Sequence, residues 1–594
     1  MSAKFVRRAV GLTTAAAAAF ALLGGGSAGA GQTAPGWSAL GASYAPTEGI
    51  GEVAQSISCP DASTCAAVGY FEDTSDRQEA LVMDGSGGDW TPGEVSLPAT
   101  ASATAPFAAL VSVSCYSAGN CVSAGSYLDG DSLPHPMLVV ETNGTWGPGS
   151  DAPTPPPDPN VGYLGPTLAK ISCTAQVCAA VGQVDTTIAQ VRPIHTTEGY
   201  IVVGSGTSWT ALLAPLPSNA AAKPEAQLND VSCAGGECEA VGQYTDTSGD
   251  VQGLLVRYAN GSWTATEAPL PAKAAATGQD AEVDAIACPA AGECSAAGAY
   301  TTNGSVQEPL LLSESAGTWS ATAGNAPAGS TSDPRPKFNA IDCWDPGDCA
   351  AVGFDFADSH HNQSLLLAVA EQGGAWQTVV NPPFPTNAIA LSTNMQQAAF
   401  LSVSCATPSQ CDAGGWYTAD DESNRALVAT FSAGSGWSHG METPLPANAN
   451  PGANQSARVF GLSCISGSGC EGVGWYKGPF GQRDRALILG NGTPFVGVAQ
   501  ARAARIIGPT ARVPITCRGQ SDCTVTLTLA NAGTGRTILG SSAGAVTASG
   551  SQVVRVNLNA QGKKLFAAKR SLRVLLSVSE RTLLVSAQRV RFHH

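Results

Sequence analysis

Two cysteines five or six residues apart, with a glycine four residues after the second, recur eight times in this chain. The first cysteines are Cys59, Cys115, Cys173, Cys233, Cys288, Cys343, Cys405 and Cys464. Their partners are Cys65, Cys121, Cys178, Cys238, Cys294, Cys349, Cys411 and Cys470. The glycines are Gly69, Gly125, Gly182, Gly242, Gly298, Gly353, Gly415 and Gly474. A third landmark lies 25 to 31 residues after each second cysteine: Trp90, Trp146, Trp209, Trp263, Trp319, Trp376, Trp437 and finally Phe495. A period of 55 to 62 residues with three landmarks in register makes each copy one supersecondary unit that needs its neighbours to bury its faces.

Each copy parses as four strands. Strand A is a short β-branched run ending at the first cysteine, and strand B runs from the second cysteine through the glycine. Strand C is an apolar stretch such as Ala426-Leu427-Val428-Ala429, and strand D starts at the tryptophan. Asn143-Gly144, Asn260-Gly261 and Gly373-Gly374 separate C from D, as a two-residue hairpin demands positive φ. Pro215-Leu216-Pro217, Pro269-Leu270-Pro271 and Pro444-Leu445-Pro446 follow D, where a residue without an N–H ends a strand. With 68 glycines and 38 prolines, the chain is suited to short strands and turns rather than helices. The expectation is an all-β fold, an eight-bladed β-propeller over 31–498 with a small C-terminal β-sandwich over 499–594. Trp37, in PGWSALGASYAP, resembles the start of a strand D. It is expected to dock on the last blade and close the ring; an irregular extra strand is the plainer alternative.

The glycine-turn-tryptophan hairpins after an A-V-G strand resemble the repeats of sialidase-type (BNR) propellers and of photosystem II assembly factor-like propellers. The nearest resemblance is to the cysteine-paired propeller repeats of secreted actinobacterial proteins. It covers residues 37–498 and implies a fold, since such folds host unrelated activities.

The N-terminus reads as an export signal over 1–30: Lys4, Arg7 and Arg8, an apolar run from Val10 to Leu23, then Ala28-Gly29-Ala30. A secreted location follows, with no membrane span expected. In an exported chain an even set of cysteines reads as a disulfide framework. Tetrahedral zinc needs four ligands, whereas each pair here belongs to a different blade, so the pairs read as staples, with no metal and no cofactor. A ninth pair, Cys517 and Cys523, lies beyond the repeats. Residues 31–498 carry 13 basic and 44 acidic residues, a net −31; residues 499–594 carry 14 basic and two acidic, Asp522 and Glu580, a net +12. This dipolar split makes the C-terminal segment a candidate for an anionic cell-envelope polymer, or for docking on its own propeller. Arg502, Arg505, Arg512, Lys563, Lys564, Lys569, Arg570, Arg573, Arg589 and Arg591 would carry either contact. No nucleic-acid partner is expected.

No convergent acid, base and nucleophile stands out. The propeller arginines (77, 192, 257, 335, 425, 458, 483 and 485) fall at unequal places in their repeats. A sialidase-type Asp-box puts glycine three residues before the tryptophan, whereas Asn143-Gly144-Thr145-Trp146 puts it two before. Acidic groups such as Asp420-Asp421-Glu422 offer oxygen ligands for Ca²⁺ without an EF-type spacing and read more simply as solvated turns. Aromatics recur where strand B enters the B–C loop: Tyr70, Tyr127, Tyr244, Tyr300, Phe354, Trp416, Tyr417, Trp475 and Tyr476. They form either a ligand face for a protein or glycan, or packing between neighbouring blades. The function expected is a secreted, non-catalytic binding or scaffold module. The alternative is an extracellular sialidase-like glycoside hydrolase or polysaccharide lyase.

Overall fold

The computed structural model describes residues 34–593 except 35, 42–50, 87–88, 157–160, 189–193, 328–333, 357–362, 392–395, 447–448, 451–454, 479–482, 492–497, 519–522, 532–536, 548–549, 570 and 581–582. The export signal, Phe495, His360, His361 and Arg570 lie outside the described residues.

Each cysteine-paired repeat folds into one antiparallel sheet with its strands in chain order. The first comprises Glu52–Asp61, Thr64–Glu72, Gln78–Ser86 and Asp89–Glu94. Strand D is the variable member, reduced to Ala375–Trp376 in the sixth repeat. All 18 cysteines are paired: eight disulfides, Cys59–Cys65 to Cys464–Cys470, staple the A–B hairpins of the repeats, and the ninth, Cys517–Cys523, joins Thr510–Arg518 to Cys523–Asn531, strands of two different sheets. The eight repeat staples join neighbouring strands at the A–B turn, where rings of six or seven residues restrict the unfolded chain by about 2 kcal/mol each. At the C–D hairpin, at the same end of the sheet, Asn260 and Gly261 take φ +52° and +79°, the positive values that the Asn-Gly pair supplies at little cost.

The recurring glycine has a steric cause. Strand A slips register at the same place in every repeat, at Gln55 in the first and at Val111, Ala169, Asn229, Asp284, Asn339, Leu401 and Phe460 in the others. This bulge drives a strand A carbonyl against strand B. A Cβ on Gly242 would lie 1.9 Å from the Gln227 carbonyl oxygen, and the other seven glycines meet the equivalent oxygen at 1.9–2.0 Å. Only a residue without a side chain fits beneath the bulge.

Strand A of each sheet packs beside strand A of the next, and the last, Ala457–Ile465, packs beside the first, Glu52–Asp61. The arrangement is a closed, propeller-like ring with the A strands innermost. Apolar clusters fill each gap, such as Ala66, Val68 and Val82 of the first sheet against Leu110, Val113 and Tyr127 of the second. At about 1.5–3 kcal/mol for each fully buried large apolar side chain, these clusters dominate the cohesion of the ring.

A second, polar device joins the sheets. Cys115 N–H donates to Ser58 Oγ at 3.1 Å, Cys173 to Ser114 at 3.0 Å, Cys233 to Ser172 at 3.0 Å and Cys288 to Ser232 at 3.0 Å. Cys405 donates to Asp342 Oδ2 at 2.8 Å, Cys464 to Ser404 at 3.0 Å and Cys59 to Ser463 at 3.1 Å. In each case the acceptor precedes the first cysteine of the preceding sheet. Cys343 departs from the pattern because that position is Ala287, and its N–H turns to its own Asp342 Oδ1 at 3.0 Å.

The eighth sheet has three strands of its own, Ala457–Ile465, Gly469–Lys477 and Asp484–Asn491, and its fourth is Trp37–Gly41. Trp37 lies opposite Asn491, which lies opposite Cys470. The same row of second cysteine, strand C residue and tryptophan recurs as Cys238–Tyr258–Trp263 and Cys349–Glu371–Trp376. The N-terminal strand therefore takes the place of a strand D, as the resemblance of Trp37 to the other tryptophans predicts.

Beyond the ring, Ile538–Val546, Cys523–Asn531, Ser571–Glu580 and Leu583–His593 form one antiparallel sheet, in that order. Thr510–Arg518 joins Val498–Ala501, Arg505–Ile507 and Ser551–Asn557 into a second. Val513, Ile515, Val525, Leu527, Val556, Val574 and Leu576 are buried in their shared core. A helix, Ala560–Ala568, was not expected from the sequence. Asn559 caps it by accepting from Gly562 N–H at 2.8 Å, and Phe566 anchors it against Phe592, with centroids 6.1 Å apart. Gly41 also pairs with Leu584, so the sheet that closes the ring continues into this segment.

Candidate functional site at the channel mouth

Strand alternation divides the nine expected aromatics into two sets. Tyr127, Tyr244, Tyr300, Tyr417 and Tyr476 stand two residues after the invariant glycine and are buried, none more than 1% exposed. Their hydroxyls are tied within the protein. Tyr244 donates to Asn219 Oδ1 at 2.9 Å or Glu267 Oε2 at 2.8 Å; Tyr417 reaches Asn387 Oδ1 at 2.8 Å and Glu442 Oε2 at 3.2 Å; Tyr127 bonds Asp151 and Thr100. Burial pushes the Tyr127 phenol up to about 12, with the Asp151 carboxylate adding to the effect. These five pack between sheets, and Tyr127, Tyr244 and Tyr417 hold Thr100, Asn219 and Asn387 in the segments that follow strand D. As placed, they cannot form a ligand face.

Tyr70, Phe354, Trp416 and Trp475 stand one residue after the glycine, on the other side of strand B, and are only half-buried. They come from the first, sixth, seventh and eighth sheets, four consecutive positions around the ring. The other four sheets carry Ser126, Gln183, Gln243 and Ala299 at this place. Each side chain lies opposite a strand A residue at the end away from the disulfides: Tyr70 opposite Val53, Phe354 opposite Lys337, Trp416 opposite Ala399 and Trp475 opposite Arg458. The Arg458 guanidinium lies 4.0 Å from the centroid of the Trp416 ring, and Lys477 Nζ lies 5.6 Å from that of Trp475. Arg458 Nε is buried and has no hydrogen-bond partner, and burial lowers the affinity of this guanidinium for its proton.

The strand A residues of the third to sixth sheets line a cavity of about 270 Å³. Its wall carries Thr167, Lys170, Gln183, Asn229, Asp284, Lys337 and Asn339. Asn229 donates to the Val283 carbonyl at 2.9 Å, and Lys337 Nζ binds Glu282 at 3.0 Å and Asp284. Desolvation, with the nearby Glu282 carboxylate, pushes the Asp284 carboxyl up against the pull of Lys337. The polar cavity thus belongs to the third to sixth sheets and the half-buried aromatics to the sixth, seventh, eighth and first.

The remaining described propeller arginines that form ion pairs are engaged in separate places. Arg77 pairs with Asp73 and Glu79, Arg257 with Glu237, Glu239 and Glu314, Arg425 with Asp421 and Glu442, Arg483 with Glu72 and Asp76, and Arg485 with Glu52 at 3.9 Å. The one grouping with metal-ligand spacing among the described residues is Asp412 with Cys464 and Cys470, and both sulfurs are already in a disulfide.

No family model matches the chain, and no curated protein matches it in sequence. Among solved structures, Trypanosoma rangeli sialidase in complex with 2,3-difluorosialic acid is similar over 95% of this chain and 93% of its own, at 9% identity and a TM-score of 0.31. The same enzyme in complex with sialic acid is similar over 71% and 86%, at 10% identity and a TM-score of 0.28. The Hadza microbial sialidase Hz136 covers 55% and 65%, at 10% identity and a TM-score of 0.27. At such scores these likenesses carry no activity across to this chain. The strand contacts, not the likenesses, carry the account of the ring.

Proposed function

We propose that this chain is a secreted, eight-bladed β-propeller (31–498) joined to a small basic β-sandwich (499–594), and that it binds a glycan at the channel mouth without turning it over. The observation that carries the reading is the arc of Tyr70, Phe354, Trp416 and Trp475 on four consecutive sheets, together with a cavity in the third to sixth sheets walled by the amides of Gln183, Asn229 and Asn339, the Thr167 hydroxyl and the charged Lys170, Asp284 and Lys337. Half-exposed aromatic faces stack on the apolar C–H faces of sugar rings, while amides and hydroxyls meet the ring hydroxyls. Nine disulfides and the absence, among the described residues, of a helix long and apolar enough to cross a membrane support the extracellular location.

Sialidase-like hydrolysis would need arginines converging on a substrate carboxylate. Arg77, Arg257, Arg425, Arg483 and Arg485 are instead each held by carboxylates of their own, and Arg458 lies against the Trp416 ring. The test is a glycan array with the full mature protein, followed by Trp416→Ala and Trp475→Ala. Each variant is expected to weaken binding about 10- to 100-fold while the protein stays folded, as losing one stacking contact in a site does. Turnover of a sialoside or polysaccharide by the wild-type protein would overturn the non-catalytic reading.

A further inference from the structure

Three arginines on three adjacent strands of the basic segment lie directly side by side. Arg505 is opposite Arg512, and Arg512 is opposite Arg555. All three leave the same, outward face of the sheet. Their chain neighbours Ile506, Ala511, Val513, Val554 and Val556 turn into the core, while Arg505 and Arg555 are exposed and Arg512 is half-buried. Arg502 adds a fourth exposed guanidinium next to this row, its N–H bonded to the Pro514 carbonyl at 2.9 Å. None of the four forms an ion pair among the described residues, and Arg512 Nε is buried without a hydrogen-bond partner.

Such a row is costly in isolation. Directly opposed cross-strand residues have Cβ atoms about 4.5–5.5 Å apart, and like charges in that relation destabilise a sheet. In the propeller the opposite habit prevails: Arg257 and Arg425 each sit among two or more carboxylates. The chain therefore places acids beside arginines in one part and withholds them from this face in the other.

We propose that the Arg505–Arg512–Arg555 row, with Arg502 beside it, is a binding site for a linear phosphate-bearing polymer without bases. A tetrahedral phosphate presents oxygens in more than one direction, so it can be shared between two guanidinium groups flanking it across neighbouring strands. A carboxylate places both of its oxygens in one plane and is satisfied by one guanidinium fork. Strand spacing of about 4.8 Å gives two such gaps along the row, so a polymer crossing the strands meets successive sites in line. The face outlined by Ile507, Thr510, Pro514, Thr516, Ser551, Val553 and Asn557 has no aromatic on which a nucleobase could stack. The proposal is independent of the glycan reading, because the two sites lie in different parts of the chain.

The test uses the full mature protein and immobilised long-chain inorganic polyphosphate as the probe. The triple variant Arg505→Gln/Arg512→Gln/Arg555→Gln is compared with Arg573→Gln/Arg591→Gln, which removes an opposed arginine pair from the other sheet. Wild type is expected to bind at low salt with a log–log salt slope of roughly −3, and the triple variant to lose at least about 20-fold in affinity and most of that slope. The Arg573/Arg591 variant is expected to stay within about threefold of wild type. The conservative Arg512→Lys, which keeps the charge and the fold but not the fork, should weaken binding about fivefold. Equal losses in the triple and the control variants would make the effect one of net charge alone and overturn the site. Polygalacturonate or oligo-dT binding as tightly as polyphosphate would overturn the assignment to a phosphate polymer without bases.

Discussion

The backbone N–H of Cys59 donates to Ser463 Oγ at 3.1 Å across a separation of 404 residues. It is the same bond that Cys115 makes with Ser58 at 3.1 Å between the first two sheets. First and last repeats therefore meet through the contact that joins every ordinary pair of neighbours carrying a hydroxyl or carboxylate there, and the ring has no special joint between its innermost strands.

This equivalence predicts the effect of removing each rung. Ser463→Ala and Ser58→Ala should each cost about 1 kcal/mol, the net worth of one such hydrogen bond, and lower the melting temperature alike. Ala287→Ser only offers Cys343 N–H an alternative to Asp342 Oδ1, so little change is expected there. A silent Ser463→Ala beside a costly Ser58→Ala would mean that the ring does not close through this contact.

The invariant glycines admit a sharper test. Gly242→Ala places a methyl 1.9 Å from the Gln227 carbonyl oxygen, which only opening the bulge can relieve. The expected cost is roughly 3 kcal/mol or more, read as a large fall in melting temperature or a loss of secreted yield. Gly261→Ala at the hairpin tip has open space around it but keeps a φ of +79°, so about 1 kcal/mol is expected there. Equal effects at the two sites would remove the steric explanation of the repeat.

The ring was legible because its landmarks are covalent or steric: a disulfide at each A–B turn, a glycine beneath each bulge, a tryptophan in a fixed row. Trp37 was legible as part of that row from its local sequence alone. The division of the aromatics was also present in the sequence but was not drawn from it. Tyr417 and Trp416 are adjacent in a strand, so period-two alternation forbids them from sharing a face, and the bulge decides which of them is buried. The serine rungs could have been read from Ser-Cys pairs such as Ser58-Cys59 and Ser172-Cys173. What that pairing of residues hides is the acceptor's target, which lies in the next repeat. The helix Ala560–Ala568 is nine residues long and buries only one side chain, Phe566, beside the buried Gly562, too faint a period to distinguish it from a loop.

The clasp strand predicts a topological effect. Trp37 is 9% exposed and packs with Leu487 and Leu489 of the eighth sheet and Ala426 and Val428 of the seventh. Trp37→Ala should cost about 3–5 kcal/mol, as large-to-small changes in a core do. Deleting residues 31–50 also bares the strand Asp484–Asn491 as an edge, and self-association is expected along with the lower stability. A truncated protein that stays monomeric in sedimentation and melts with wild type would refute the role of this strand.

Burial between the fourth and fifth sheets predicts how stability varies with pH. Desolvation, reinforced by the nearby Glu314 carboxylate, pushes the Glu239 carboxyl up to about 8, although Arg257 Nε lies 3.5 Å away. In the unfolded chain the same group titrates near its ordinary value of about 4.3. Between those values the folded protein holds a proton that the unfolded chain has released, so stability from this group is complete at acid pH and falls as pH rises. The fall ends near pH 8, where both states are ionised. Glu239→Gln keeps a neutral, hydrogen-bonding side chain at every pH, and Arg257 retains Glu237 and Glu314 as partners. The variant should therefore match wild type near pH 4.5 and exceed its melting temperature by roughly 2–5 °C at pH 8.5. Glu141, which burial pushes up to about 7, should give the same pattern in Glu141→Gln, with its transition ending about one pH unit lower. Melting curves for both variants and wild type at half-unit steps from pH 4.5 to 9 separate the cases. A Glu239→Gln protein that tracks wild type throughout would show that this carboxylate is already ionised at neutral pH and held so by Arg257.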